Sequence, residues 1–573
     1  MSAQQIITQH LDIWTASHKT RSSAGRGSSN KLDLYGIKKL RELILELAVR
    51  GKLVSQNPND EPASELLKKI AAEKAKLIKE GKNKNEKPLP EITDEEKLID
   101  LPSGWEFVRF IDVLDFNGGS QPPKSQFSDL PRDGYVQLIQ IRDLGPNPQP
   151  VYVPKESVSK FCTKKDVMIG RYGASVGKVF WGRDGAYNVA LIKIQNAFKV
   201  YSESYIFWLM TSPLGQSLFS GISRSAQDGF SKEDIALKIL SLPPLAEQHR
   251  IVAKVDELMG FCDQLEQTQS DNIAAHAQLV EALLASLTNS ADHKELQTNW
   301  QRIAAHFDTL FTTEHSIDQL KQTILQLAVM GKLVPQNPND EPGSELLKKI
   351  TAEKSRLIKE GKIKNHLPVE PIGDQIFLPD GWIEVVIQDF ADVRLGSTPS
   401  RAEPKYWNGN ILWVSSGEVA NCIIMDTEEK ITKEGFANSS TSMIPARSLL
   451  MAIIGQGKTR GQTALLGVDA CTNQNVAAFV FNENFVVPEF VWLWARSKYD
   501  SHRGDGRGGA QPALNGKIVR SFRFPLPPFN EQQRIVAKVD ELMVLCDSLK
   551  TNFQNAQTNQ LALADALVEQ AVN

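Results

Sequence analysis

The chain contains two stretches that each occur twice, and this duplication constrains its fold more than any other feature. Residues 44–82 return as residues 324–362, with 32 of 39 positions identical at an offset of 280. A second block, residues 242–266, returns as residues 526–550, with 18 of 25 positions identical at an offset of 284. The two segments between these near-copies resemble each other only faintly. The chain is therefore a tandem duplication with constant ends and variable middles.

The first constant block has the periodicity of a helical hairpin. Apolar residues recur at helical spacing from Ile37 to Leu47, and Gly51 stands where a C-terminal cap belongs. The turn Asn-Pro-Asn-Asp-Glu-Pro then leads into a second predicted helix, with Ser64 as its N-cap.

The second constant block predicts a long helix in each copy. Its apolar residues alternate at spacings of four and three, which is typical of a coiled coil, and forty helical residues would reach about 60 Å. The simplest arrangement packs the two helices against each other. The alternative is two surface helices, each packed on its own globular domain. The predicted seam comprises Ile251, Val255, Leu258, Cys262 and Leu265, resuming at Leu279 and Leu283, and in the second helix Ile535, Val539, Leu542, Cys546 and Leu549, continuing through Phe553 to Leu563 and Leu567.

The variable segments differ from the constant blocks in their residue pattern. Each begins with a Pro-x-Gly-Trp turn and continues in short β-branched and aromatic runs punctuated by Gly, Pro, Asn and Asp. This pattern predicts a mixed α/β domain in each copy. The predicted domains are a helical N-terminal region with a mobile Ser/Gly stretch (1–100), a first variable domain (101–242), a central constant region (243–377), a second variable domain (378–526) and a C-terminal long helix (527–573).

Two stretches resemble known nucleotide-binding or methyltransferase motifs, but each lacks a required residue. Gly455–Thr459 resembles the end of a phosphate-binding loop, but Ala452 occupies the position of the first required glycine. Leu526–Phe529 resembles the Asn-Pro-Pro-Phe loop of adenine methyltransferases, yet Leu526 replaces the polar residue that must accept from the target amino group. We therefore predict neither a catalytic residue nor a metal or cofactor site in this chain.

Cysteine usage and hydropathy indicate the compartment. The five cysteines are scattered without a Cys-x-x-Cys pair, which favours reduced thiols over disulfides or structural zinc. No run of 18 apolar residues occurs, and the N-terminus lacks a basic region followed by an apolar core. We expect a cytoplasmic protein.

The variable segments carry side chains suited to nucleic acid. Net charge is +3 over residues 101–242 and 0 over residues 378–526, but +5 between Arg496 and Arg523. Glycines allow close approach to phosphate, Lys and Arg neutralise it, and Arg, Gln, Asn and Ser match base edges. Alternatively, many of these residues serve only to form turns. The candidate DNA-binding residues are Ser120, Gln121, Lys124, Gln140, Arg142, Arg171, Tyr172, Ser175, Lys178, Arg224, Gln227 and Lys232 in the first segment, and Arg394, Ser397, Thr398, Arg401, Ser415, Ser416, Gln456, Lys458, Thr459, Arg460, Asn473, Gln474, Arg507, Gln511, Asn515 and Lys517 in the second.

The chain contains two variable segments, each followed by a repeated long helix, and it carries the motifs GIKKLRELILELAVRGKL and LPPLAEQHRIVAKVDELM. In these features it resembles the specificity subunit of type I restriction–modification enzymes. The resemblance covers essentially the whole chain. It implies an α+β fold: two α/β-mixed target recognition domains separated by long antiparallel coiled-coil helices, internally duplicated with pseudo-twofold symmetry. Each domain would read one half of a split double-stranded DNA site.

The same resemblance implies the partners and cofactors. Modification (methyltransferase) subunits would carry S-adenosylmethionine, restriction (endonuclease/translocase) subunits would use ATP and Mg, and this chain would bind no cofactor and catalyse nothing. The family offers no catalytic residues to transfer. It does suggest matching DNA-face positions, namely Ser120 with Ser397, Gly173 with Gly457, Gly177 with Gly461 and Gln227 with Gln511.

Two other classes of protein compete with this interpretation. A fused restriction–methylation enzyme would need methylase and nuclease motifs that this sequence lacks. A coiled-coil scaffold without a DNA role would not change the methylated sequence when its variable segments are exchanged. The sequence does not predict which bases are recognised, because loop geometry and DNA deformation decide them.

Overall fold

The structure is a computed structural model. It describes residues 3–20, 32–80, 89–97, 99–221, 229–373, 375, 377–455, 459–504 and 514–572. These residues form two units: unit 1 contains residues up to 271 together with 557–572, and unit 2 contains residues 272–556. The predicted Ser/Gly stretch lies outside the described residues. In the described part of the chain, no helix is both long and apolar enough to cross a membrane.

Unit 1 begins with short helices and the predicted hairpin. Trp14 and Ile7 are fully buried, so the N-terminal helices belong to the core of this unit. The elements are α1 (Ala3–Gln9), α2 (Leu11–Ala16), β1 (Lys19–Thr20), β2 (Leu32–Asp33), α3 (Tyr35–Val49) and α4 (Ala63–Lys79).

The hairpin prediction is confirmed except at one cap. Gly51 adopts φ 68° after α3, and the next amide, that of Lys52, donates to the Leu47 carbonyl at 2.9 Å, which closes the helix. Ser64 as an N-cap is wrong, because α4 already begins at Ala63. The Ala63 amide instead donates to the Gly104 carbonyl at 2.8 Å, so the first turn needs no side-chain cap there.

The first variable domain comprises, in its described residues, β3 (Glu106–Arg109), α5 (Phe110–Val113), β4 (Asp115–Gly118), β5 (Tyr135–Ile139), β6 (Tyr152–Pro154), β7 (Phe161–Cys162), β8 (Val167–Gly170), β9 (Val179–Trp181), β10 (Gly185–Tyr187), β11 (Leu191–Gln195), α6 (Glu203–Thr211), α7 (Pro213–Ser217), α8 (Lys232–Ala236) and β12 (Ile239–Leu242). These described strands form two four-stranded sheets, with the orders β6-β5-β10-β7 and β4-β11-β8-β9, and a two-stranded ribbon that pairs β3 with β12. The long helix α9 (Leu245–Asn289) follows.

Unit 2 repeats this order. Its helical part is α10 (His293–Ala304), α11 (Phe307–Leu310), α12 (Glu314–Val329) and α13 (Gly343–Lys359). The second variable domain comprises β13 (Ile383–Val386), α14 (Ile387–Phe390), β14 (Asp392–Leu395), β15 (Trp407–Val414), β16 (Ile423–Ile424), β17 (Glu429–Ile431), α15 (Lys433–Ala437), β18 (Leu449–Ala452), β19 (Thr463–Leu466), β20 (Cys471–Thr472), β21 (Val476–Val480), α16 (Pro488–Ser497), α17 (Tyr499–Gly504), α18 (Gly516–Arg520) and β22 (Arg523–Leu526). The helix α19 (Phe529–Val572) ends the described chain.

The two variable domains share most of one topology although their sequences hardly match, and among the described residues β7 has no counterpart in the second domain. The order β4-β11-β8-β9 corresponds to β14-β21-β18-β19, with β16 added at the edge of the second sheet. The order β6-β5-β10 corresponds to β17-β15-β20, and the ribbon β3–β12 corresponds to β13–β22. The predicted α+β class and internal duplication are therefore confirmed.

Much of the predicted apolar seam of the long helices is buried, and in each unit a third helix contributes residues to the same apolar cluster. In unit 1, Cys262 and Ala564 lie in one apolar cluster with Leu40 of α3. In unit 2, Cys546 and Val280 lie in one cluster with Leu320 of α12. Seam residues that are at most 4 % exposed are Ile251, Val255, Leu258, Cys262, Ile535, Val539 and Cys546, while Leu265, Leu542 and Leu549 are partly buried.

The seam resumes only in part where the sequence predicts, because Leu283 and Leu567 are partly buried against the apolar clusters but Leu279 and Leu563 are not. Leu279 and Leu563 are each 51 % exposed, and their neighbours Val280 and Ala564 are buried instead. After Leu265 the partly buried positions are Gln269 and Ile273, two consecutive steps of four residues. The second helix makes the same two steps from Leu549. An extra step of four shifts a heptad pattern around the helix, which moves the buried face by one residue.

The motif Leu-Pro-Pro-x-x-Glu-Gln recurs because it ties each long helix to its variable domain. Gln248 is fully buried, and its Oε1 accepts from the Ser202 amide at 2.8 Å while its Nε2 donates to the Pro243 carbonyl at 3.1 Å. Gln532 makes the corresponding bonds, from the Val487 amide at 2.8 Å and to the Pro527 carbonyl at 3.1 Å. A buried amide that satisfies both backbone groups fixes the angle at which the helix leaves the domain.

Replacing Gln248 by Leu is expected to lower the free energy of unfolding by about 2 kcal/mol, because the partly buried Ser202 amide loses its acceptor. Urea denaturation followed by circular dichroism would measure this loss. The control is Gln267→Leu on the exposed face of α9, which should change stability by less than about 0.5 kcal/mol. Equal stability of the two variants would show that the buried amide has no structural role.

Candidate nucleic-acid interface

In the first variable domain, strand direction brings four loops to one edge. Strands β4 and β8 both pair antiparallel to β11, so their carboxyl ends lie beside its start. Strands β5 and β10 pair in parallel, so their carboxyl ends lie together. The turn 188–190 joins β10 to β11 and thus connects the two sheets. The loops after β4, β5, β8 and β10 therefore meet at one place.

Backbone hydrogen bonds hold these loops around the turn. Gly119 is required here, because a Cβ at that position would lie 2.1 Å from the Asn188 carbonyl oxygen. The amide of Ser120 donates to the Tyr187 carbonyl at 2.9 Å, that of Asn188 to the Ile139 carbonyl at 3.0 Å, and that of Arg171 to the Ala190 carbonyl at 2.9 Å. We call this surface, residues 119–121, 140–143, 171–178 and 188–190, the first reading edge.

The second variable domain builds the same surface from different residues. A Cβ at Gly396 would lie 1.9 Å from the Thr472 carbonyl oxygen, which repeats the close approach at Gly119. The amide of Ser397 donates to the Thr472 carbonyl at 3.0 Å, that of Asn473 to the Val414 carbonyl at 3.0 Å, and that of Ile453 to the Asn475 carbonyl at 2.8 Å. We call residues 396–398, 415–418, 453–455, 459–462 and 473–475 the second reading edge.

An asparagine shapes the central turn of each edge. The Asn188 Oδ1 accepts from the Ala190 amide at 3.2 Å, and the Asn473 Oδ1 accepts from the Asn475 amide at 3.0 Å. Such a bond fixes the backbone two residues on. Asn473 is among the predicted residues, whereas the sequence analysis missed Asn188. The available signal was the match of Tyr-Asn-Val-Ala with Thr-Asn-Gln-Asn, each between two strands.

The first reading edge presents polar and cationic groups to solvent. Gln121, Arg142 and Lys178 are exposed, and the Arg171 guanidinium lies 5.2 Å from the centre of the Tyr172 ring. Behind them, burial raises the pKa of the Tyr187 phenol, which keeps its proton and donates to the Asn117 carbonyl at 3.1 Å. Exposed cations above a neutral, buried phenol suit contact with a phosphate backbone.

Several predicted residues lie within the reading edges in the structure. They are Ser120, Gln121, Gln140, Arg142, Arg171, Tyr172, Ser175 and Lys178 in the first domain, and Ser397, Thr398, Ser415, Ser416, Thr459, Arg460, Asn473 and Gln474 in the second. The matched glycines Gly177 and Gly461 also share a left-handed backbone, with φ 79° and 85°.

Other predicted residues already have partners within the chain. The Arg401 guanidinium lies 3.8 Å from the Trp407 ring centre and binds both Glu429 carboxylate oxygens, which lowers the pKa of that carboxyl. Lys232 pairs with Asp115 at 2.7 Å, Arg394 pairs with Asp392 at 2.8 Å, and Asn515 caps α18. Lys124 and Lys517 are exposed outside the reading edges. Arg224, Gln227, Gln456, Lys458, Arg507 and Gln511, together with Gly457, lie outside the described residues.

Comparison with known proteins identifies the family. The model of the type I restriction modification DNA specificity domain matches residues 102–275 and 379–557. The type I restriction enzyme EcoAI specificity subunit of Escherichia coli is 40 % identical over 612 aligned positions, covering 100 % of both chains. The EcoEI specificity subunit of the same organism is 38 % identical over 608 positions, again with 100 % of both chains.

Among solved structures, the HsdS subunit from Thermoanaerobacter tengcongensis is 16 % identical, with a TM-score of 0.41 over 83 % of this chain and 98 % of that chain. The family assignment rests on the sequence matches, because two matched regions cover both variable domains and full-length relatives exceed 30 % identity. The chain therefore belongs to the family of type I restriction–modification DNA specificity subunits.

Proposed function

We propose that each reading edge recognises one half of an asymmetric, bipartite DNA site and that the chain itself performs no chemistry. The observation that supports this proposal is the duplication of one loop arrangement with different side chains. The arrangement is built twice from the same strand order, while the residues displayed on it differ between copies. Two unequal surfaces on a duplicated framework suit a target whose two halves differ.

Membership of the family supports a proposal for the partners. We propose that modification subunits carrying S-adenosylmethionine dock on the repeated helices and methylate adenine, and that restriction subunits supply the ATP- and Mg-dependent steps. The long helices α9 and α19 would set the spacing between the half-sites, as subunit geometry does in dimeric DNA-binding proteins. The near-neutral net charge of −3 fits a subunit whose partners share the phosphate contacts.

Methylation mapping tests this proposal. The chain would be produced with its modification subunits in a host that lacks adenine methylation, and the genome would be read by long-read sequencing. We expect methylated adenines within one asymmetric sequence made of two short halves and a fixed spacer. The control is the modification subunits alone, which should methylate no defined site. Transfer of a labelled methyl group to DNA by the purified chain alone would contradict the non-catalytic role.

A further inference from the structure

The two reading edges differ at the tip of their central turn. The residue after the shaping asparagine is Val189 in the first domain and Gln474 in the second. The backbone on both sides is the same in the two domains, because each asparagine accepts from the amide two residues on and each turn lies between corresponding strands. One framework position therefore carries a branched apolar side chain in one copy and an amide in the other.

The Gln474 side chain is hydrogen-bonded to the neighbouring loop. It is exposed, and its Oε1 accepts a hydrogen bond from the Thr398 Oγ1 on the neighbouring loop. The oxygen keeps one lone pair for another donor, and the Nε2 group carries two hydrogens that can donate. A side chain that presents one acceptor beside one donor matches the N6 and N7 atoms of adenine in the major groove.

Val189 offers different chemistry at the same position. It is partly exposed at the turn, between Asn188 and Ala190. It has no polar group to pair with a base edge, but its methyl groups can pack on the C5-methyl group of thymine. The thymine methyl group is the feature of an A·T pair that an apolar side chain in the major groove can distinguish.

We infer that the position after the shaping asparagine reads a base in each half-site, with Gln474 recognising an adenine and Val189 contacting a thymine methyl group. This inference rests on the proposed function. A residue that only forms the turn would not need this chemistry, because the asparagine and the backbone already fix the turn. Exposure of Gln474 also means that its removal leaves no cavity.

The test uses the complete complex of the chain with its modification subunits. The wild-type site is mapped first, and binding is then measured by fluorescence anisotropy on duplexes carrying each of the four base pairs at every half-site position. For Gln474→Val we expect adenine preference at one position of the second half-site to fall about 5- to 150-fold. Gln474→Glu should shift the preference there toward cytosine, whose amino group donates to a carboxylate.

The remaining variants test the orientation of the Gln474 amide and the equivalence of positions 189 and 474. Thr398→Val should weaken the same preference by a smaller factor, because the amide loses its hydrogen bond to the neighbouring loop. Val189→Gln should change one position of the first half-site only, toward adenine. The control is Gln301→Val, exposed on α10 and outside both reading edges, which should leave every preference unchanged.

The outcomes distinguish this inference from the proposed function. If Gln474→Val weakens binding equally on all four base pairs, or changes nothing, the residue does not read a base and the inference is overturned. A Val189→Gln effect in the second half-site would overturn it as well. If the wild-type complex shows no sequence preference at all, the proposed function fails, and with it the basis of the inference.

Discussion

Replacing residues 101–242 by the corresponding segment of a relative with another target is expected to change the first half-site completely while the second half-site stays the same. The physical reason is that all four loops of the first reading edge lie inside this segment, and none of the second edge does. The ribbon that closes the segment pairs β3 with β12, so the graft begins and ends at adjacent strands. Long-read methylation mapping of the exchanged protein with its modification subunits would measure the result.

The graft should fold because its anchors are backbone groups or constant residues. The Gln248 side chain binds the Ser202 amide, a group that any residue except proline provides at that position. The Glu247 carboxylate accepts from the Trp105 Nε1 at 3.0 Å, and this Trp belongs to the repeated Pro-x-Gly-Trp turn. The reciprocal exchange of residues 378–526 serves as control and should change the second half-site alone. An unchanged site after both exchanges would instead support a scaffold without a role in DNA recognition.

Replacing Phe524 by Ala is expected to lower the free energy of unfolding by about 3–5 kcal/mol, the cost of removing a fully buried aromatic ring. Phe524 lies on β22, the last strand of the second variable domain. Its ring centre lies 4.6 Å from that of Phe390, 5.8 Å from Phe490 and 5.3 Å from Trp494. The neighbouring rings cannot simply move into the space, because Phe390 is held on α14 and both Phe490 and Trp494 are held on α16.

Urea denaturation of the full chain would measure this loss. Phe377→Ala is the matched control, since that ring is 96 % exposed and its removal should cost less than about 0.5 kcal/mol. In the complex, Phe524→Ala should also weaken recognition of the second half-site before the first. A stability loss below about 1 kcal/mol would show that the cluster relaxes around the missing ring.

Much of the helical framework could be predicted from the sequence because its signals are local. The apolar period of α3 and the glycine at its end act within a few residues. The error at Ser64 has a tertiary cause, since the carbonyl of Gly104, distant in sequence, satisfies the first amide of α4. The shift at Leu279 also follows from packing, because the sequence offers Leu279 and Val280 as equally apolar neighbours and α12 contributes to the buried face.

The candidate site was predictable as a set of loops but not as a surface. Its members lie up to 71 residues apart in the first segment and 79 in the second, and only strand direction and the parallel pairing of β5 with β10 and of β15 with β20 bring them together. Asn188 was missed because its role is to shape backbone, which no charge or aromatic pattern reveals. Arg401 has the composition of a DNA contact, yet the neighbouring Trp407 and Glu429 already engage it.

The ribbons β3–β12 and β13–β22 have a consequence for chain entropy. Each clamps the two ends of its variable domain, leaving 129 residues between Arg109 and Ile239 and 136 between Val386 and Arg523. For the helices outside the ribbon, each variable domain then acts as a closed loop. The entropic cost of closing a loop grows only with the logarithm of its length. Lengthening such a loop by about 5 % costs about 0.04 kcal/mol. Insertions and deletions between the clamps are therefore almost free for the helices outside, provided that the inserted residues fold among themselves.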